Sequence, residues 1–387
     1  MNTPGKPFSV ILLPTSACNV ACDYCFEKKD KLRLSRDRLA ELTGKLLDHM
    51  DRSGIKEAEI YWQGGEVMML PPDYYMEAYQ LMGSAAAARG LSFVHFLQSN
   101  LIGYGPQWDE VIRTMFNSDI GTSMDYPNVH RKLFTGSAEA YTEIWLKNYR
   151  LARSVGFDVG VIAVLSPESL DAGADAFWNW FTNEVGIDNF QVNTPFPGGP
   201  ASKEWPMHAP LDLDRLAEFT VRLFELWSTE GRARGIRLGP FDGLFDHFTK
   251  GEGRLPCIFQ ENCANQFISV DAKGSVAQCD CWVTSYPDWF FGNVFETDNL
   301  TETLRDSPPR REFLKRPKTL VTDEDCLSCR YLSICHGGCP VRAYTATGDL
   351  HRKDPYCSMY KALFAKAERT AIDVMAAERV AEMAVAN

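Results

Sequence analysis

Residues 8–13, Phe8-Ser-Val-Ile-Leu-Leu13, form a largely apolar run that ends at Pro14, the pattern of a buried strand. From 35 to about 52 the period changes: Leu39, Leu42, Leu46 and Leu47 recur at helical spacing, with Ser35 placed to cap the first turn. An apolar run returns at 58–62 and is broken by Gly64-Gly65. The same alternation predicts a helix over about 72–89, a strand over 92–97 and a helix near 107–116. Strands follow at 120–124, 158–165 and 189–192, with helices near 138–154, 168–185 and 212–233. Six strands alternating with helices read as parallel βα units, too few for a closed eight-fold barrel. The expected fold is therefore α/β, a partial (β/α)6 barrel of parallel strands. Such sheets carry their reactive loops at the carboxyl ends of the strands. The segments that directly follow strands are residues 18–25, Gly64-Gly65-Glu66, Ser99-Asn100 and Ser123-Met124-Asp125, and they should converge on one face.

Residues 194–210 are rich in Pro and Gly and contain Trp205 and His208, which makes them a loop, either a cover for the barrel mouth or a solvated connection. Helical periodicity fades after Leu238. The expected domains are a barrel over 1–239, a second domain over 240–365, and 366–387 as the end of an Ala-rich helix that starts near 355. Of the 387 residues 45% are hydrophobic and 24% charged, enough for a substantial core and without a disorder signature. The net charge of −11 argues against a nucleic-acid partner, which a basic stripe would mark. No apolar run reaches the roughly 18 residues of a membrane helix, and no secretory h-region opens the chain. A cytoplasmic protein with no membrane partner is expected.

The twelve cysteines change the picture through their placement: three lie within 18–25, none between 26 and 256, and nine within 257–357. A disulfide scaffold would be short and would spread its cysteines along the chain, so metal or cluster ligation is the leading explanation. Cys18, Cys22 and Cys25 form C-x3-C-x2-C after the first strand. Three thiolates are awkward for a closed tetrahedral zinc site. They suit a four-iron cluster with one iron left open to an amine and a carboxylate, such as those of S-adenosylmethionine (SAM), whose reductive cleavage releases a 5′-deoxyadenosyl radical.

This spacing, followed by Phe26, resembles the signature of the radical SAM superfamily. In that family a Gly-Gly-Glu turn holds the methionyl amino group, which the resemblance assigns to Gly64, Gly65 and Glu66. It likewise places Asn100, Ser123 and Asp125 on the cofactor. Val67 stands where the family usually has proline and Leu101 where it has glycine.

The second group reads Cys257-x5-Cys263-x10-Gly274-x4-Cys279, Cys326-x2-Cys329-x5-Cys335-x3-Cys339 and Cys357. It is similar to the seven-cysteine SPASM extension, with Cys257 as an added candidate; a pair of zinc ribbons is the alternative. Without Cys281 the region offers eight thiolates, enough for two further four-iron clusters and three [4Fe-4S] clusters in all. The resemblance alone implies interleaved ligation, one cluster on Cys257, Cys263, Cys279 and Cys339 and the other on Cys326, Cys329, Cys335 and Cys357. Cys281 is left as a buried thiol, a reactive group or a substitute ligand.

From residue 8 to about 365 the chain looks most like the anaerobic sulfatase-maturating enzymes, which oxidise a cysteine or serine side chain to formylglycine. The resemblance rests on Cys22-Asp-Tyr-Cys25-Phe26, Gln63-Gly-Gly-Glu66, Ser123-Met-Asp125, Phe241-Asp-Gly243 and Asp271-x2-Gly274-Ser-Val-x2-Cys279-Asp280. It implies that the radical takes a hydrogen atom from the alcohol- or thiol-bearing carbon, that Asp280 takes a proton, and that an auxiliary cluster takes an electron. It also implies that Gln63 contacts substrate. An Asp280 that only orients its loop is the plainer alternative. Glu27 stands where the maturases commonly have tyrosine, and a carboxylate there suits a cationic substrate such as an aminocyclitol or amino sugar. The barrel starts at residue 8 with no precursor-peptide-recognition extension before it, which lowers the standing of ribosomal-peptide cross-linking. The expected partners are an electron donor such as flavodoxin or ferredoxin and a protein, peptide or small-molecule substrate. A non-catalytic zinc or iron-sulfur protein is the alternative from a different class.

Overall fold

The computed structural model describes residues 8–196, 211–320 and 324–385. The loop expected at 194–210, with Trp205 and His208, lies outside them from 197 onward.

Six parallel strands appear where the apolar runs predict them: β1 (Phe8–Leu13), β2 (Glu57–Trp62), β3 (Ser92–Leu97), β4 (Asp119–Ser123), β5 (Asp158–Val164) and β6 (Asn189–Asn193). Four more follow: β7 (Arg237–Gly239), β8 (Phe267–Asp271), β9 (Ser275–Ala277) and β10 (Gly292–Asn293). One sheet has the order β10-β9-β8-β1-β2-β3 and the other β4-β5-β6-β7. They meet at a parallel bridge between Gln98 and Gly121, reinforced by the Ser99 N–H donating to the Gly121 carbonyl at 2.9 Å. The architecture is α/β with a parallel partial barrel, and it is wider than six strands because β7 extends one edge and β8 pairs in parallel with β1.

The helices follow from their sequences. Helix Arg36–Ser53 starts at Ser35, whose hydroxyl accepts from the Arg38 N–H, and stops at Gly54 in the left-handed region. It buries Leu39, Leu42, Leu46 and Leu47, as their spacing predicts. The helix expected over 168–185 is instead broken at Gly173, and its last turns, Trp180–Val185, widen to π geometry. Helix Cys357–Val385 packs on helices Leu213–Leu226 and Phe241–Lys250, so the end of the chain closes over its middle. Among the described residues no helix is long and apolar enough to cross a membrane.

Gly121 sits where the two sheets meet. A Cβ there would lie 2.4 Å from Gln98 Oε1 and 2.7 Å from the Leu97 carbonyl oxygen. Gly44, within helix Arg36–Ser53, has open space instead. Gly121→Ala is expected to cost about 1–3 kcal/mol by overpacking, whereas Gly44→Ala should add about 0.5–1 kcal/mol by restricting the unfolded chain. Urea denaturation of the two variants checks the opposite signs.

Candidate active site

The strand ends build the site in layers. After β1 the chain enters the first cysteine loop, and the turn after β2 presses directly on it. Gly65 N–H donates to the Thr15 carbonyl at 3.1 Å and Glu66 N–H to the Ala17 carbonyl at 2.8 Å. A Cβ on Gly65 would stand 2.4 Å from the Ala17 oxygen, and Gly64 has φ +117, so this approach requires the two glycines.

Glu66 is 2% exposed and both its oxygens are engaged. Oε1 accepts from Ser99 Oγ at 2.7 Å and Met68 N at 2.9 Å, and Oε2 from Asn100 N at 2.7 Å. Burial pushes its carboxyl up, and these donors oppose the shift. The carboxylate expected on the cofactor amine therefore also ties the turn after β2 to the turn after β3. Asp125 is similarly committed: it accepts from Tyr24 Oη, from Arg131 Nε at 2.9 Å and from Val164 N at 2.9 Å. Ser123 Oγ accepts from Gln98 Nε2 at 3.0 Å, and Asn100 Nδ2 donates to Asn19 Oδ1 at 2.6 Å.

The thiols of Cys18, Cys22 and Cys25 are shifted upward by burial, Cys18 to about 11 and Cys25 to about 12. Cys22 raises both of the others, so Cys18 and Cys25 each lie within the field of Cys22. Lys29 acts in the opposite sense on all three, and Arg131 does so on Cys22.

Gln63 and Asp280, 217 residues apart, meet: Gln63 Nε2 donates to Asp280 Oδ2 at 2.9 Å. Asp280 Oδ1 accepts from Cys281 N at 2.9 Å. Asp280 lines a cavity of about 350 Å³ together with Cys257, Cys263, Cys279, Cys281 and Cys339. The half-buried Glu27 lines a neighbouring cavity of about 270 Å³ beside Asp30 and Asp271. Burial and then the charge of Asp280 push the Glu27 carboxyl up to about 8, and Lys29 opposes them. Glu27 therefore lies within the field of Asp280, although the two line different cavities.

Cys326, Cys329, Cys335 and Cys357 line a third, smaller cavity. The two cysteine sets are separated along interleaved stretches of chain, with Cys339 in the large cavity although Cys335 is in the small one. Arg316, 5% exposed, joins the two: its guanidinium donates to the carbonyls of Leu350, His336, Gly337 and Arg352 and lies in the fields of Cys263, Cys339 and Cys335. Sequence reasoning missed Arg316, as it missed the buried Arg342, whose Nη2 donates to the Thr194 carbonyl at 2.9 Å. A single Arg in a helix carries no sign of such a role.

Residues 12–176 match the model of the radical SAM superfamily. Residues 12–176 thus carry the radical SAM domain of a class of enzymes that work with SAM and a [4Fe-4S] cluster, and the cysteine-rich C-terminal region is consistent with a SPASM domain. Within that class the chain is similar to the anaerobic sulfatase-maturating enzymes. It is 25% identical over 369 residues to the serine-type enzyme of Bacteroides thetaiotaomicron, covering 89% of this chain and 85% of that one. It is 26% identical over 384 residues to the cysteine-type enzyme of Clostridium perfringens, covering 92% and 95%. The native anSMEcpe structure with bound AdoMet and the Cp18Cys peptide superposes with a TM-score of 0.79 at 21% identity, covering 95% of this chain and 98% of that one.

The residues present fit iron–sulfur clusters. A single zinc ion would hold its thiolates roughly 3.8 Å apart. Among the described residues the one group of ligand atoms all within 4.8 Å of one another is Cys279, Asp280 and Cys281. The thiols of each four-cysteine set therefore stand further apart than one ion allows. Gln278, 1% exposed, and Trp282, fully buried, are also among the residues lining the large cavity, and their side-chain polar atoms have no protein partner.

Asp125 and Arg131 form a buried pair 2.9 Å apart, with side chains 4% and 9% exposed. Asp125→Ala is expected to cost about 3–5 kcal/mol by leaving the guanidinium unpaired, and Asp125→Leu with Arg131→Met to cost less than that single change. Denaturant unfolding of the single and double variants measures the difference.

Proposed function

We propose that the chain is a radical SAM dehydrogenase that oxidises an alcohol- or thiol-bearing carbon of a peptide side chain. The observation that carries this reading is the Gln63–Asp280 hydrogen bond beside a cysteine-lined cavity. In this reading Cys18, Cys22 and Cys25 hold the cluster that binds SAM, with Gly64, Gly65, Glu66, Asn100, Ser123 and Asp125 around the cofactor. Cys257, Cys263, Cys279 and Cys339 hold one auxiliary cluster, and Cys326, Cys329, Cys335 and Cys357 the other. When bound, these groups supply a 5′-deoxyadenosyl radical that removes hydrogen from carbon and a sink for the second electron.

The protein's own part is to place the substrate and take its proton. Asp280 is held by Gln63 at one oxygen and by the Cys281 N–H at the other, which fixes its orientation before substrate arrives. Burial pushes its carboxyl up, making it a stronger base than an exposed aspartate, although the same hydrogen bonds moderate the shift. Phe26, Phe241, Phe259 and Trp282 give the cavity apolar walls, suited to excluding water around one side chain. The similarity to sulfatase-maturating enzymes favours a peptide or protein substrate. The proposed domains are 1–239 for the radical SAM part, 240–365 for the auxiliary-cluster part and 366–387 for the helix end. A reducing cytoplasm and an electron donor such as flavodoxin or ferredoxin complete the reading. Glu27 beside Asp280 favours a second reading, a cationic small molecule, whose amine it would pair with.

Asp280→Asn should abolish product from a serine- or cysteine-containing peptide while 5′-deoxyadenosine still forms from SAM; full product yield in that variant removes Asp280 from the chemistry. On anaerobically reconstituted protein, about twelve irons per chain are expected. Cys263→Ser and Cys329→Ser should each lose about four of them independently. Zinc without iron would sink the cluster assignment.

A further inference from the structure

The large cavity holds two buried polar side chains whose partners the protein itself does not supply. Gln278 directly follows β9 and precedes Cys279; it is 1% exposed, and neither Nε2 nor Oε1 has a hydrogen-bond partner. Trp282 is fully buried, and its Nε1–H is likewise unmatched. The pair brackets Cys279, Asp280 and Cys281 in sequence, and both line the cavity that also contains Cys257, Cys263 and Cys339. A buried donor left unmatched costs about 1–3 kcal/mol, so an acceptor is to be expected within the cavity. The nearest carboxylate in sequence is already engaged: Asp280 uses one oxygen for Gln63 and the other for the Cys281 N–H.

The surroundings of Trp282 narrow the choice of acceptor. Its ring is packed by Tyr286, Trp289, Phe313 and Tyr344 at centroid distances of 5.0 to 5.4 Å, all of them from the C-terminal half. Indole nitrogen is a donor only, so its partner must offer an acceptor lone pair. Besides Asp280 and the amides and hydroxyls of Gln191, Asn193, Thr194 and Thr220, the cavity concentrates five cysteine sulfurs, which become strong acceptors once they are thiolates.

We propose that Gln278 and Trp282 donate N–H···S hydrogen bonds to the sulfurs of the auxiliary cluster held by Cys257, Cys263, Cys279 and Cys339, and thereby raise its reduction potential. The inference rests on the cluster assignment of the preceding section. Its physical basis is that a four-thiolate cluster gains negative charge on reduction, so donors aimed at its sulfurs stabilise the reduced form more than the oxidised one. Arg316 and Arg342, buried cations in the fields of the same cysteines, act in the same sense. The result is a better acceptor for the electron that leaves the substrate, placed next to the carboxylate that takes its proton. Both residues are positioning residues in this scheme. The Oε1 end of Gln278 remains available to a donor on the substrate, so Trp282, with one donor and no acceptor, gives the cleaner test.

The test is an EPR-monitored redox titration of the anaerobically reconstituted full chain, with wild type compared to Gln278→Leu, Trp282→Phe and the double variant. The cluster is identified by the signal that Cys263→Ser removes. Iron content and the ratio of product to 5′-deoxyadenosine are followed alongside. The expected result is unchanged iron, a more negative midpoint for that cluster in each single variant, a larger displacement in the double, and a lower product ratio. If Gln278→Leu loses iron, Trp282→Phe, which keeps an aromatic ring in the site while removing the N–H, still decides the matter. Full iron with every midpoint at its wild-type value overturns the proposal, as does a raised KM for substrate with unmoved midpoints, which would assign the donors to substrate. A wild-type chain carrying about eight irons in place of twelve, with no signal lost in Cys263→Ser, would fail the cluster assignment itself.

Discussion

The parallel pairing of β1 with β8 is the constraint on which the rest of the structure depends. It aligns Ser9 with Phe267 and Leu13 with Asp271, so the carboxyl ends of the two strands coincide. β1 delivers the first cysteine loop to that end, and β8 delivers the hairpin that leads into Cys279-Asp280. β9 is only three residues long, so the chain retreats little before helix Asp280–Ser285 turns it back. Gln63, whose N–H donates to the Leu12 carbonyl at 3.1 Å, is thereby within reach of Asp280. An antiparallel β1–β8 pair would carry Asp280 to the opposite end of the sheet. The meeting of Gln63 and Asp280 is thus a consequence of strand direction before it is a matter of side-chain chemistry.

The second level is electrostatic, and it divides the polar residues into two kinds. Glu66 and Asp125 are buried carboxylates whose hydrogen bonds are fully supplied by the turns they join. They need no cofactor to be satisfied, so the strand-end frame is set in advance. The cysteines behave differently. Burial raises their thiols, among them Cys18 and Cys339 to about 11 and Cys25 and Cys335 to about 12, and neighbouring cysteines oppose ionisation further. They become good ligands only when a metal charge arrives to displace the protons, so loading is coupled to proton release and to the final set of the loops. A rigid carboxylate frame and a metal-dependent thiol frame meet at the first cysteine loop.

This division explains what can be read from the chain and what cannot. β1 is legible as a nearly continuous apolar run buried on both faces, and β2, β4 and β5 through the alternation of buried with less buried positions along them. β7 is three residues of mixed character, Arg237-Leu-Gly239, and β8 lies in a stretch where cysteine spacing dominates the pattern, so neither stands out. The break at Gly173 is a backbone event inside an otherwise periodic segment. At the site, residue types at strand ends are visible, but the commitments of Glu66 and Asp125 are not, because their partners come from other strands. Gln63 and Asp280 are linked beforehand only by resemblance to a family; their contact depends on the β1–β8 register. Gln278 and Trp282 are silent in sequence, since what singles them out is the absence of a protein partner in a buried place.

A buried cation lies between the two cysteine sets of this acidic chain, and this bears on how the C-terminal half holds together. The chain as a whole carries −11, yet the residue that spans the two cysteine sets is a buried arginine. Arg316 spends its donors on four carbonyls from the loops around Cys335, Cys339 and Cys357, which leaves its charge to be balanced through space. The groups in its field are Cys263, Cys339, Asp354 and Cys335. With neutral thiols, Asp354 is the one anion among them, and that carboxylate already accepts from Cys339 N, Tyr356 N and Tyr360 Oη. Burying a guanidinium is favourable only where anions surround it. Ionised cysteines on either side would provide them, and the cation would in turn offset the repulsion between two anionic centres. The loops that Arg316 fastens and the charges it would balance are the same structure, so in the proposed reading cluster loading and local stability would be coupled in this part of the chain.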